Sequence, residues 1–268
     1  MEPELRDAID REELRLYFQP AYSLTDATIG SVEALLRWDH PGLGILAPSE
    51  FIALAERSDL IVGLGDWAIK EACRQLALWR SNLEQAELYA SVNISRTQLE
   101  RGDPVGTLRK AARRTGAPLS RLALEIPAPA LAELAEEEVN RLAGLRDMGA
   151  SIVVDNVSDP AAILEPAAML PVRALRIAGS LVAGLPDAEA CVNLTREVLD
   201  TAEQLGAESA AQGVETPGQV HALREFGCDY AAGFLFSLPM PADLLENSLR
   251  GHVRPAQAGA ANGDQPDA

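Results

Sequence analysis

Four oxygen-bearing side chains occur in or at the end of four separate apolar runs of this sequence. They are Glu33, Asn93, Glu125 and Asp155. Buried carboxylates are costly unless they are paired or bind a cation, and carboxylate and amide oxygens are the ligands that suit Mg²⁺ or Mn²⁺. Each residue taken singly could instead cap a helix or face solvent. The set of four favours a divalent-cation site.

An arginine accompanies this set. Arg37 follows Glu33 by four residues, so on a strand both side chains point to the same face. An arginine near carboxylates can bind a phosphate or can simply neutralise its neighbours. The spacing alone leaves both interpretations open.

Strand-like and helix-like segments alternate along the chain. The strand-like runs are 16–23, 30–37, 88–94, 122–126, 151–155, 172–177, 208–213 and 230–236. The amphipathic segments are 48–58, 62–80, 106–115, 131–147, 187–205, 217–226 and 241–249. This alternation predicts parallel strands with right-handed crossovers, and eight strands favour a closed barrel over an open sheet. Polar residues at the carboxyl ends of barrel strands would meet at one mouth.

The first two strand-like runs are joined by residues 24–29 only, which is too short for a helical crossover, so these strands should pair antiparallel. We therefore predict an α/β fold, a (β/α)₈ TIM-like barrel with an antiparallel first strand, over residues 14–250. Residues 1–13 are assigned to an N-terminal extension. Residues 251–268 have no periodic apolar face and are assigned to a disordered tail.

The composition restricts the partners and the compartment. The 268 residues include 40 acidic and 23 basic side chains, a formal net charge of −17, which disfavours direct binding to nucleic acid or to an anionic membrane. No apolar run approaches the roughly 20 residues that span a bilayer. The three cysteines are odd in number and form no CxxC motif, which indicates reduced thiols and a cytoplasmic location.

Seven segments form longer recognisable blocks. They read FQPAYSL, VEALLRWDHPGLGILAPSEFIALAE, SVNIS, LEI, VVDN, AQGVET and GCDYAAGFLFSLPM. Together they resemble the EAL domain of bacterial cyclic di-GMP signalling, from about Leu14 to Leu249, and the block from Glu33 to Glu56 is highly specific. The resemblance implies a (β/α)₈-type barrel with the first strand reversed. It also implies kinship with phosphodiesterases that linearise cyclic di-GMP with two Mg²⁺ or Mn²⁺ ions.

The resemblance also implies a role for individual residues. The positions that match ligands of the first metal ion are Glu33, Asn93, Glu125 and Asp155. The positions that match nucleotide contacts are Gln19, Glu33, Leu35, Arg37, Asn93, Asp155 and Glu215. Among these, Arg37 matches a position that contacts a phosphate.

Four positions depart from the family's catalytic pattern. Asn156 replaces the second Asp of DDFG, which holds the second metal. Arg176 replaces the Lys of LKID, which positions the attacking water, and an arginine cannot act as a base at neutral pH. Gln212 replaces the first Glu of AEGVE, and Ala232 replaces the Gln before the final Gly-Phe. These changes predict that the second metal site and catalysis are lost, leaving at most one Mg²⁺ or Mn²⁺.

Three functions are compatible with this degenerate pattern. The preferred one is a catalytically inactive cyclic di-GMP receptor that acts through a signalling or regulatory protein in trans. The alternative is a nucleotide-independent protein-interaction adaptor, with apolar contacts from the rebuilt loops at 127–131 and 159–164. The third is a weak phosphodiesterase that uses one metal ion and Asn156. The resemblance leaves a homodimer open.

Overall fold

The fold is a closed barrel of strands surrounded by helices. The computed structural model describes residues 1–82 and 88–251, so the predicted tail lies outside the described residues except for its first position. The strands are β1 Leu14–Ser23, β2 Ile29–His40, β3 Gly44–Leu46, β4 Tyr89–Asn93, β5 Leu122–Pro127, β6 Ser151–Val157, β7 Val172–Ile177, β8 Glu208–Ala211 and β9 Tyr230–Ala231.

Helices cover the outside of this barrel. They are α1 Glu2–Asp7, α2 Pro48–Arg57, α3 Leu60–Asn82, α4 Arg96–Arg101, α5 Pro104–Thr115, α6 Ala128–Ala132, α7 Glu136–Ala143, α8 Leu164–Ala168, α9 Gly179–Ala183, α10 Glu189–Leu205, α11 Pro217–Glu225 and α12 Ala242–Gly251. None of these described helices has the length and apolar character that crossing a membrane requires.

Eight of the strands close the barrel, and the first runs against the others. Strand β1 pairs antiparallel with both β2 and β9, while β2, β4, β5, β6, β7, β8 and β9 pair in parallel succession. The predicted (β/α)₈-type barrel with a reversed first strand is therefore confirmed. Strand β3 is an addition that the sequence analysis did not foresee, and it forms a hairpin with the end of β2.

Local hydrogen bonds set helix boundaries that hydrophobic periodicity does not. The single helix predicted over 131–147 is instead divided into α6 and α7. The carboxylate of Glu138 accepts a hydrogen bond from the backbone N–H of Ala135 at 2.8 Å, and this contact caps the start of a separate helix, α7. The short helix α4 begins in the same way, because Ser95 and Gln98 each bond the other's backbone N–H.

The last predicted strand is shorter than expected for a steric reason. The run at 230–236 is strand only over Tyr230–Ala231. At Gly233 a Cβ atom would lie 2.2 Å from the carbonyl oxygen of Val214, so only glycine allows this close approach of the two backbones. The chain leaves the sheet there and returns to it at Met240, which forms a bridge with Phe18 on β1.

Apolar side chains pack in three clusters. The largest lies between the strands and the outer helices, and in it the rings of Phe18 and Trp79 meet edge to face at 4.8 Å. A second cluster joins helix α1 to the barrel through Leu5, Trp38 and Phe51. The residues predicted to be an N-terminal extension thus contribute a fully buried side chain, Leu5, to the folded unit.

The third cluster consists of small side chains that line the barrel lumen. Ala123, Val153 and Ala174 form it, and a cavity of about 40 Å³ lies among them. Larger branched residues in this layer would fill the lumen completely. The small residues leave room for a long polar side chain at the mouth above them.

Replacing Leu5 by alanine tests whether helix α1 is part of the folded unit. Leu5 is 1% exposed, so Leu5→Ala should lower the free energy of unfolding by about 2–4 kcal/mol. Urea denaturation measures this value. Leu43→Ala removes the same atoms from a side chain that is 60% exposed and should change it by less than about 0.5 kcal/mol. Equal, small effects of the two substitutions would contradict the packing of α1.

Candidate functional site

Neighbouring strands bring the four predicted oxygen ligands to one barrel mouth. Glu33 lies on β2, Asn93 ends β4, Glu125 lies on β5 and Asp155 lies on β6. In the sheet register Glu33 is level with Ser91, and Asn93 is level with Glu125. Alternate residues of a strand point to the same face, so these side chains enter the same space.

A guanidinium group lies at the centre of this space. The Nη1 atom of Arg176, on β7, donates to Glu33 Oε2 at 2.8 Å. The same nitrogen donates a short hydrogen bond to Glu125 Oε1 and approaches Asp155 Oδ1 at 3.4 Å. One nitrogen atom therefore contacts carboxylates from three strands.

Two hydroxyl contacts and two amide contacts complete the cluster. Ser91 donates to Glu125 Oε2 at 2.6 Å and lies 3.5 Å from Arg176 Nη2. The Nδ2 atom of Asn93 donates to Glu33 Oε1 at 2.8 Å, and the Nε2 atom of Gln212 donates to Glu33 Oε2 at 3.3 Å. Both oxygens of Glu33 thus accept hydrogen bonds from side-chain nitrogens.

Burial shifts the ionisation of these groups. Glu125 is fully buried, and burial, with the charges of Glu33 and Asp155, raises its pKa to about 8 although Arg176 opposes the shift. Burial also raises the pKa of Asp155 above its ordinary value, again against Arg176. Burial alone would lower the pKa of the Arg176 guanidinium, but the three carboxylates outweigh it and raise that pKa. Arg176 therefore stays charged.

The residues that the resemblance assigns to a divalent cation are brought together, but they do not fit one as they are arranged. Their oxygens turn toward the Arg176 guanidinium, and Asn93 presents its amide nitrogen to Glu33. Over residues 1–82 and 88–251, no group of three or more His, Cys, Asp or Glu side chains is arranged to hold a metal ion.

An apolar cavity opens beside the charged cluster. Its volume is about 330 Å³, and its lining includes Glu33, Leu35 and Asn93, three of the residues predicted to contact a nucleotide. Pro48 and Ile52 supply part of its apolar wall. Pockets of this size and character commonly take small organic ligands, with a few polar groups fixing their orientation.

Two further predicted nucleotide contacts lie on the first strand pair. The amide nitrogen of Gln19 donates to the carbonyl oxygen of Ser237 at 3.4 Å. The guanidinium of Arg37 donates to the Leu36 carbonyl at 2.8 Å and lies 5.5 Å from the centre of the Tyr17 ring. Burial lowers the pKa of Arg37, against the opposing effects of Tyr17 and Glu33.

The remaining predicted positions are Glu215, Asn156 and Ala232. Glu215 is exposed in the loop after β8, where its N–H donates to Gln219 at 2.8 Å. Asn156 is exposed with φ of 56°, a conformation that asparagine and aspartate tolerate. Ala232 lines the lumen cavity together with Glu33, Arg176 and Gln212 of the cluster.

Sequence reasoning missed one member of the cluster and misjudged another. Ser91 was not singled out, although it precedes Asn93 by two residues and so shares its face of β4. Arg176 was noted as a replacement for a lysine, but its contacts with three acids were not foreseen. Its position two residues after Ala174, on the lumen face of β7, is the signal that was available.

Relatives of known name match most of the chain. The curated cyclic di-GMP phosphodiesterase NbdA of Pseudomonas aeruginosa is 34% identical over 253 residues, which are 94% of this chain and 32% of NbdA. The bifunctional diguanylate cyclase/cyclic di-GMP phosphodiesterase MucR of the same organism is 33% identical over 246 residues, which are 92% of this chain and 36% of MucR. The chain thus spans about a third of the length of these relatives.

A solved structure and a domain family also match most of this chain. The structure of the MucR phosphodiesterase in complex with c-di-GMP superposes with a TM-score of 0.83 at 32% identity, covering 91% of this chain and 98% of that chain. The family described as EAL domain matches residues 2–239. The chain belongs to the EAL domain family.

Proposed function

We propose that this EAL domain is a cyclic di-GMP receptor that does not hydrolyse its ligand and acts through a partner protein in bacterial cyclic di-GMP signalling. The proposal rests on two features: an apolar cavity of about 330 Å³ that can take part of a nucleotide, and a charged cluster beside it that is unsuited to hydrolysis. The relatives are named as phosphodiesterases, so the point of difference lies in this chain's own residues.

The cavity beside the cluster is the observation that carries the proposal. It is lined by Glu33, Leu35 and Asn93 and has an apolar wall against which an aromatic base can pack. Arg37 lies on the same strand, β2, and supplies a positive charge suited to a phosphate. Base stacking and phosphate pairing are the two interactions that a dinucleotide requires.

The absence of hydrolysis is proposed from the state of Arg176. Phosphodiester cleavage needs a water molecule made nucleophilic near neutral pH. The residue at the position of the family's lysine is a guanidinium whose pKa is raised by three carboxylates, so it cannot accept a proton from water. Asn156 is exposed and so does not restore the missing carboxylate to this cluster.

A receptor without turnover transmits its signal by changing what it binds, which is why the proposal includes a regulatory partner.

The described chain contains three free cysteines, Cys73, Cys191 and Cys228, which suits a reducing compartment such as the cytoplasm. A homodimer remains a prediction from the resemblance.

A nucleotide-independent adaptor is the second candidate, and one observation favours it. Phe234 and Leu238, in the loop after β9, are 66% and 61% exposed. In the loop at 127–131, predicted to supply contacts for a partner, Ala128, Ala130 and Leu131 are buried and Pro129 is exposed. The second predicted loop, at 159–164, ends at Leu164, whose exposed fraction is 36%.

The receptor proposal predicts measurable binding that depends on Arg37. Isothermal titration of the full chain with cyclic di-GMP should show saturable binding with and without Mg²⁺. Arg37→Ala should weaken it by about tenfold or more, because a charge-assisted bond to a phosphate is lost. Arg109→Ala removes the same charge from an exposed position on α5 and should leave the affinity unchanged.

Wild-type protein that gives no heat with the dinucleotide at high micromolar concentration would contradict the receptor and favour the adaptor. Equal loss of affinity in both arginine variants would show a nonspecific charge effect rather than a phosphate contact.

A second prediction concerns turnover. Overnight incubation of the protein with cyclic di-GMP and Mn²⁺ should yield no linear dinucleotide by chromatography, with the MucR phosphodiesterase domain as the active control. Accumulation of the linear product would instead establish a weak phosphodiesterase, the third function considered from the sequence.

A further inference from the structure

We infer that Arg176 is a built-in cation that takes the place of a divalent metal ion in the carboxylate cluster of this barrel. The inference concerns the cluster alone and does not depend on nucleotide binding. It replaces the single Mg²⁺ or Mn²⁺ that the sequence assigned to Glu33, Asn93, Glu125 and Asp155.

The contacts of one nitrogen atom carry this inference. Arg176 Nη1 bonds Glu33 at 2.8 Å, bonds Glu125 and lies 3.4 Å from Asp155, so it contacts the three acids that a metal would need. Arg176 Nη2 lies 3.5 Å from the Ser91 hydroxyl, which fixes the plane of the group. A metal ion held by all three carboxylates would have to occupy the space that this nitrogen fills, because both must lie within contact distance of the same oxygens.

Burial makes the guanidinium hard to displace. The exposed fraction of the Arg176 side chain is 12%, and that of the Glu125 side chain is 0%. Moving Arg176 outward would break its charge-assisted hydrogen bonds and leave the acids unpaired until a metal arrived. Ala123, Val153 and Ala174 line the same lumen cavity as Arg176, and their small side chains leave space for the guanidinium.

The hydrogen-bond pattern around Glu33 supports the same conclusion. Glu33 accepts three hydrogen bonds from side chains of the protein: Oε1 accepts one from Asn93, and Oε2 accepts one each from Arg176 and Gln212. These three donors satisfy Glu33 as an ordinary buried carboxylate. The cluster is thus complete without an added ion.

Titration of the full chain with Mn²⁺ alone tests this inference. Electron paramagnetic resonance of free Mn²⁺ gives the bound fraction, and the thermal unfolding midpoint gives the stabilisation by bound metal. Wild type should show no saturable site up to about 1 mM Mn²⁺. Arg176→Met should bind one Mn²⁺ at least about tenfold more tightly, and its midpoint should rise with Mn²⁺.

Two further variants guard against misfolding and nonspecific effects. Arg176→Lys keeps the positive charge on a side chain that is one bond shorter, so the lysine should contact fewer of the three acids. This variant should therefore also bind Mn²⁺ more tightly than the wild-type protein does. Arg173→Met is the matched control on the same strand: Arg173 pairs with the single carboxylate of Glu208, at 2.9 Å from each oxygen, so its loss should create no Mn²⁺ site.

The inference is overturned if wild type binds one Mn²⁺ as tightly as Arg176→Met does. It is also overturned if the folded Arg176 variants bind Mn²⁺ no more tightly than wild type. Should Arg176→Met fail to fold with or without Mn²⁺, the result for Arg176→Lys decides. Because no nucleotide is present, these outcomes are separate from those of the receptor experiment.

Discussion

One positive charge holds the mouth of this barrel together. Glu33, Glu125 and Asp155 approach one another from three strands, and three buried acids without a counter-charge would repel each other and resist burial. The Arg176 guanidinium contacts all three, so the strands that carry them can close into one ring. The acids occupy the positions that the resemblance assigns to metal ligands, and Arg176 supplies the charge that neutralises them.

The charged cluster and the cavity proposed to bind a ligand occupy different parts of the mouth. The cluster occupies the centre of the mouth, while the apolar cavity extends beside it from Glu33 and Leu35 toward Pro48 and Ile52. A change at the centre therefore leaves the wall of the cavity intact. Glu33 and Asn93 belong to both the cluster and the cavity lining, whereas Arg176 does not line the cavity, so the proposed loss of a water-activating group is compatible with the proposed ligand pocket.

The sequence predicts the framework better than the centre. The reversed first strand follows from a connection too short for a crossover, and the convergence of Glu33, Asn93, Glu125 and Asp155 follows from their places at strand ends. Hairpin strand β3 and the break between α6 and α7 depend on particular hydrogen bonds, as at Glu138, and periodicity does not encode these. The contacts of Arg176 depend on distances across the lumen, which no spacing along the chain provides.

The lumen shows why an arginine can take this role. At its base, Arg173 pairs with Glu208 and lies 3.3 Å from the centre of the Tyr89 ring, so charge is neutralised there in a closed pair. Both arginines line the lumen cavity, and the small side chains of Ala123 and Ala174 line it as well. A long side chain needs that space, and a bulkier middle layer would force it toward solvent, away from the acids. The small middle layer and the arginine at the mouth are therefore two parts of one arrangement, in which side chains of the protein itself balance the charge of the buried acids.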